Sequence, residues 1–299
     1  LAWSKRPADA PDAQAALRLA LGGLWGDRVH AADLENVLLT HWRAGRITLG
    51  GMDPNVQGRD QHVTREVLPA QLVTTLPEPQ RALCENQIRE FVDWSHTPGT
   101  DADGSTIERC LAEIQAAARK NRPEQAMQAE AMAAMWRTAN GAGPGERAEA
   151  MAMIAAWHRA QAGSPSKTVI LAASVHVAKV PLPRPGAIPL HSVGAIAQAQ
   201  WGEPVAAVAF TARDGHLRDP RGRTLTPLPP LPPEALEHQS PDEAVTLLGH
   251  SALSRLGSRP ARIARYSDVL TMDWAQAFDA VIVIDQESPL GTSGSSTAD

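Results

Sequence analysis

The sequence predicts an α/β fold: a parallel or mixed central sheet flanked by helices, with a helical insertion. Three observations carry this. Apolar, β-prone runs at 168–173, 205–210 and 280–284 lack the alternation of half-exposed strands, so each reads as a strand buried on both faces. Helical periodicity fills most of the first half of the chain. The helical stretches between the apolar runs fit crossover connections. The expected organisation is one domain over 1–290, with the insertion at about 60–145 and a disordered Gly, Ser and Thr tail at 291–299.

The elements follow in order. Leu17, Leu21 and Leu24 recur near one side of a first helix starting at Asp12. A second runs from about Ala31 to Trp42, with Leu34, Val37, Leu38 and Trp42 facing inward and Gly45 at its end. Arg46 to Gly50 reads as a short strand, and Gly50-Gly51-Met52-Asp53-Pro54-Asn55 as the turn that follows it. Helices are expected at about 62–73, 78–95, 105–121, 123–139 and 145–162. After the run at 168–173, the proline-rich 181–190 is a loop, and Ser192 to Trp201 is a helix closed by Gly202. Val205 to Phe210 is the next strand, 217–235 a loop rich in Pro and Arg, and Asp242 to Leu248 a short helix. Phe278 to Asp285 contains the last strand.

Composition narrows the function classes. The 299 residues are 43% hydrophobic, enough for a substantial core, and no run approaches the roughly 18 apolar residues of a membrane span. A net charge of −5 without any basic block argues against nucleic acid or an anionic membrane as the main partner. A small-molecule substrate or ligand is the expected partner; the oligomeric state is not assigned, and of the compartments the cytoplasm is slightly favoured. Cys84 and Cys110 lie 26 residues apart with no CxxC, so free buried thiols are the favoured reading and a bridge the alternative. No HExxH, paired CxxC or Asp-rich calcium loop is present, and neither are the P-loop, Rossmann or GxSxG patterns. Neither a metal nor a cofactor is therefore expected.

What remains is positional. Asp53, His176 and Asp285 each follow an expected strand, and the C-terminal ends of parallel strands share one edge, where open α/β sheets bind ligands. A histidine with a carboxylate partner can take a proton from water or a hydroxyl. Each residue also has a plainer reading. His176 would bond a loop carbonyl, Asp53 would initiate the turn before Pro54, and Asp285 would cap a strand end. Arg147 can meet an anion at the sheet edge, or pair locally with Glu146 or Glu149. Ser174 opens the corner that holds His176, and His191 is the histidine nearest that corner in sequence. His158 is read as a surface or packing residue of its helix.

Five segments in order resemble the erythromycin esterase-like family. They are Gly50-Gly51-Met52-Asp53; the helix from Arg147 through Met151-Ala152 to Trp157; the corner Ala172-Ala173-Ser174-Val175-His176-Val177; His191 through Trp201-Gly202 with Val205 to Thr211; and Phe278 to Asp285. The resemblance implies water-mediated hydrolysis of an ester or lactone, without a metal. It implies His176 and Asp53 as catalytic groups, and Arg147, Ser174 and His191 as substrate-binding groups. There are departures: the family corner's first histidine falls on Ala173, its Asn on Ser174, and a polar pair on Met153 and Ile154. The family's upstream Gly-Glu-x-x-His segment has no counterpart in this sequence, so the resemblance implies a depleted catalytic set: either the full protein carries that segment, or this is a family member with changed or no hydrolase activity. The alternatives are a non-catalytic small-molecule or haem-binding protein on the same scaffold, with His176 as an iron ligand, and an interaction protein using the prolines of 224–233.

Overall fold

A computed structural model describes residues 31–54, 68–93, 104–143, 145–163, 166–183, 191–202, 204–218, 225–239, 243–265 and 268–287, with positions 14, 17, 65, 67 and 189 besides. The tail at 291–299 and most of the first expected helix lie outside these residues, although Leu17 is described and buried against Leu39 and Trp42. By its internal contacts the chain divides into two compact units, Leu1–Ser166 with Leu290–Asp299, and Lys167–Pro289.

The first unit is helical among its described residues. Helix α1 spans Ala31–Arg43, α2 Leu68–Leu72 and α3 Gln80–Val92; α4 spans Gly104–Ala118, α5 Pro123–Ala139 and α6 Gly145–Ala162. Pro123 sits in the first turn of α5, where its missing N–H costs nothing. Alanines 126, 129, 131 and 134 of α5 and 148, 150, 152 and 155 of α6 are all buried, small residues that let helices approach closely. A core of Leu72, Ile88, Phe91, Ile114, Met132 and Trp136 joins α2 to α5, with Phe91 and Trp136 in edge-to-face contact at 5.4 Å. Cys84 of α3 and Cys110 of α4 form a disulfide, which corrects the reading of both as free thiols. Both are fully buried, so the staple lies within the packed α3–α4 interface.

Residues 46–50 are not a strand. Ile47 and Leu49 pack instead against the cluster of Leu17, Leu39 and Trp42, so side-chain burial rather than sheet pairing fixes the segment.

The second unit holds the mixed sheet. Its helices are α7, Ser174–Val177; α8, Val193–Gln200; α9, His250–Leu256; and α10, Trp274–Ala277. Its strands are β1, Val208–Arg218; β2, Leu225–Pro227; β3, Val245–Gly249; β4, Ser258–Arg265; β5, Asp268–Asp273; and β6, Ala280–Glu287. The main sheet has the order β2-β1-β6-β3, in which β1 and β6 run parallel and the other pairs antiparallel. Strands β4 and β5 form a separate antiparallel pair.

One face of the main sheet is buried. Ala209, Val281, Val283 and Leu248 point into a core shared with Leu182, Leu253, Ile263, Trp274 and Phe278. The opposite face is apolar too, but Val208, Phe210, Val245 and Leu247 are exposed on it. Register places Ile282 between Phe210 and Leu247, which explains why the β6 run does not alternate. Burial on both faces, expected from these runs, holds for one face only.

Two further expectations are overturned. The run 168–173 is not a strand: Val169 is 90% and Leu171 67% exposed, and no described strand pairs with it. A β-prone sequence forms a strand only where a neighbour completes the ladder. The helix expected at 242–248 is β3 instead, its burial alternating with Thr246 and Leu248 inward; the helix begins at His250. The 217–235 loop is also partly ordered, because β1 continues to Arg218 and pairs with β2.

Buried polar groups knit this unit together. Arg262, almost fully buried, donates from Nη2 to the carbonyls of Ala212 (2.8 Å) and Arg213 (2.7 Å), and from Nη1 to that of Pro229. The proline-rich segment is thereby fastened to the unit. Glu237 accepts from Thr211 Oγ1 at 2.7 Å and from the Arg262 N–H at 2.9 Å.

The buried bridge yields a test. Closing a loop of this length constrains the unfolded chain by about 3 kcal/mol. The oxidised protein should show no titratable thiol before reduction and a lower thermal midpoint after it. Two reactive thiols in oxidised, denatured protein would contradict the bridge.

Candidate functional site

The expected site residues fall into two groups, one in each unit. In the first unit, the turn after Leu49 lies against α6. Asp53 receives a bidentate contact from Arg147, with Nε to Oδ1 at 3.0 Å and Nη2 to Oδ2 at 2.5 Å. Arg147 therefore pairs neither with Glu146 nor with Glu149. Glu146 instead accepts from Arg137 at 2.9 Å. Immediate neighbours on a helix do not face each other, which leaves Arg147 free to meet a distant carboxylate. Met52, beside Asp53, packs on the cluster of Met127, Ala131, Ala134, Ala150 and Ile154.

His158 holds the other end of this turn. Its Nε2 lies 3.2 Å from the Gly51 carbonyl oxygen. A carbonyl only accepts, so the contact requires the hydrogen on Nε2 and leaves Nδ1 as an acceptor. A Cβ on Gly50 would come within 2.6 Å of the imidazole ring, so glycine is what lets the chain pass beneath it. Burial pushes the His158 pKa below its ordinary value, against the opposing effect of the Gly51 carbonyl. The sequence reading of His158 as a packing residue did not include this contact. The adjacent glycines 50 and 51 were the one hint of a close approach.

In the second unit, Ser174 and His176 are half-buried on the single turn of α7, and His191 is exposed just ahead of α8. Ser192 caps α8, accepting from the Ala195 N–H at 3.0 Å, while its hydroxyl donates to the Ala178 carbonyl. A Cβ on Gly194 would lie 2.1 Å from the Val177 carbonyl oxygen and 2.6 Å from that of Ala178. Helix α8 thus sits directly on the backbone that follows His176.

The far side of the corner is equally fixed. The Lys179 N–H donates to the Ala277 carbonyl at 2.9 Å, and Lys179 Nζ meets Asp279 Oδ1 at 2.6 Å. Asp279 Oδ2 accepts from the Ala207 N–H at 2.7 Å. Burial alone would raise the Asp279 pKa, but the Lys179 ammonium and the Ala207 amide outweigh it, and the net direction is down.

These contacts place Lys179, three residues past His176, at the N-terminal ends of β1 and β6. Asp285 lies towards the other end of β6, accepting from Arg213 Nη1 at 3.1 Å. Asp285 lies six positions on from Asp279, about 20 Å at the usual rise. The expectation that Asp53, His176 and Asp285 follow parallel strands onto one edge is therefore not met. Neither 46–50 nor 168–173 is a strand, Asp53 belongs to the helical unit, and Asp285 lies inside β6. Among the described residues no group of three or more His, Cys, Asp or Glu side chains is arranged to hold a metal ion. No described helix is long and apolar enough to cross a membrane.

Two outcomes follow from the corner. Gly194→Ala must displace backbone oxygens rather than a flexible side chain, so it should destabilise the protein by roughly 1–3 kcal/mol in chemical denaturation. Asp279→Asn should cost a similar amount. Because the folded pKa of Asp279 is depressed, its contribution is present above the unfolded value and is lost as pH falls through the folded one. The acid limb of the stability profile should therefore flatten in Asp279→Asn; an unchanged limb would remove Asp279 from this role.

No curated protein sequence matches at a significant level. A crystal structure of a protein from Bacillus cereus superposes with a TM-score of 0.64 at 14% identity, covering 89% of this chain and 73% of the other. The crystal structure of a succinoglycan biosynthesis protein gives a TM-score of 0.70 at 13% identity, covering 96% and 77%. At such identities the likeness is one of fold. The erythromycin esterase family model matches residues 33–287, from α1 to the end of β6, so the chain belongs to the erythromycin esterase family.

Proposed function

We propose that the protein is a hydrolase that cleaves an ester or lactone by activating water, with His176 as general base. The family match over 33–287 carries this reading, since it takes in both groups of expected site residues. His176 has the right chemistry: its imidazole can take a proton from water, and its corner is locked by Ser192 and Gly194 on one side and Lys179 on the other. A fixed backbone is what a base needs to meet water at a constant angle.

The other roles are assigned residue by residue. Arg147 offers a guanidinium to a carbonyl or carboxylate oxygen of the substrate. Asp53 acts through it, because both carboxylate oxygens already accept from Arg147. Ser174 and His191 contribute polar contacts to substrate. Ala173 takes the place of a family histidine, so no second imidazole assists His176 from that position.

The test is loss of macrolide lactones and simple aryl esters, followed by mass spectrometry. Wild type should turn over at least one of them, and His176→Ala should be slower by about 10²–10⁴-fold, the usual contribution of a general base. Equal rates for the two proteins would remove His176 from the mechanism. No turnover of any lactone or ester by wild type would sink the hydrolase reading itself.

A further inference from the structure

We propose that His158 is a positioning residue, whose hydrogen bond to the Gly51 carbonyl sets the turn carrying Asp53 and so fixes the orientation of the Arg147 guanidinium. The inference rests on the reading of Arg147 as a substrate-binding group, and names the residue that makes it one.

The geometry is that of a clamp with two jaws on one helix. Arg147 and His158 are eleven residues apart on α6, about 16 Å along its axis. The segment from Gly50 to Asp53 runs between them in the opposite direction. His158 holds its start through the Gly51 carbonyl, and Arg147 holds its end through Asp53. Between the jaws, Met52 is seated on the apolar cluster of α5 and α6.

Such a clamp defines where the guanidinium points. Among the described residues, Arg147 spends Nε and one Nη2 hydrogen on Asp53, which leaves the Nη1 edge of the planar fork. A ligand oxygen approaching that edge meets it at an angle decided by Asp53. Asp53 in turn depends on a segment with two glycines, which has little preference of its own for a single conformation. The His158 contact supplies what those glycines leave open. The ring lies so close over Gly50 that even a methyl group there would have to move it.

The orientation of Arg147 is readable without any substrate. The Nε–H of an arginine held bidentate on a carboxylate exchanges slowly with solvent and gives a resolved NMR signal. In wild type this signal should be protected. In His158→Leu, which keeps apolar bulk but loses the donor, exchange should accelerate by about tenfold or more. In His158→Gln, whose amide can donate to the same carbonyl, protection should return. If His158→Leu does not fold, His158→Ala serves as the donor-free variant. Where a lactone or ester is turned over, kcat/KM should fall by roughly 10–100-fold in the donor-free variant and recover in His158→Gln. Wild-type protection of the Arg147 signal in a folded donor-free variant would overturn the proposal. Absence of turnover in every protein, with the signal behaving as described, would overturn the hydrolase reading and leave the clamp standing.

Discussion

The carboxylate of Asp279 is the contact on which the second unit's arrangement depends. It receives the Lys179 ammonium on one oxygen and the Ala207 amide on the other, while the Asp279 N–H returns to the Ala207 carbonyl at 2.8 Å. A partly exposed ion pair alone contributes little. A backbone amide donated to a charged acceptor is stronger, about 1.5–3 kcal/mol. More important than either is registration. The contact sets the starts of β1 and β6 side by side, and a slip of one residue would turn Ala209 and Val283 outward and Phe210 and Ile282 inward. The same carboxylate fixes the segment after α7, so strand register and the position of the His176 corner are decided together.

Helices were legible in the sequence because a helix satisfies its own backbone. The helices at 80–92, 104–118, 123–139 and 145–162 fall within a few residues of their expected limits, read from apolar spacing and terminal signals alone. Strands need a partner that local sequence does not name. The runs at 46–50 and 168–173 have strand composition, yet one is fixed by packing on α1 and the other stays unpaired among the described residues. Val245 to Gly249 was ambiguous for a different reason. A short apolar run after acidic residues fits the first turn of a helix as well as a strand, and only the alternation of buried positions distinguishes them. The β4–β5 pair escaped notice because Arg259, Arg262 and Arg265 interrupt any apolar run.

The candidate site was legible in part. His176, Asp53 and Arg147 were found by type and by position relative to neighbouring segments, but their partners were not. Asp53 and Arg147 are 94 residues apart, and nothing local in either stretch points to the other. Residue spacing on the helix did contain a negative signal, since Glu146 and Glu149 are too near in sequence to lie beside Arg147. The Cys84–Cys110 bridge was hidden for a related reason. Two cysteines on separate helices become bonding partners only when packing brings those helices together.

The two histidines of interest are prepared in opposite ways, and the difference bears on what each can do. His158 has one nitrogen committed to a carbonyl and its ionisation suppressed by burial, which suits a group that must hold a fixed shape. His176 sits half-buried on a turn whose backbone is held from both sides. With Ala173 beside it, there is no second imidazole at that position to share or repel a proton. In the proposed hydrolase role, His176 would act as a base from a corner whose backbone is already held in place, without an imidazole at position 173.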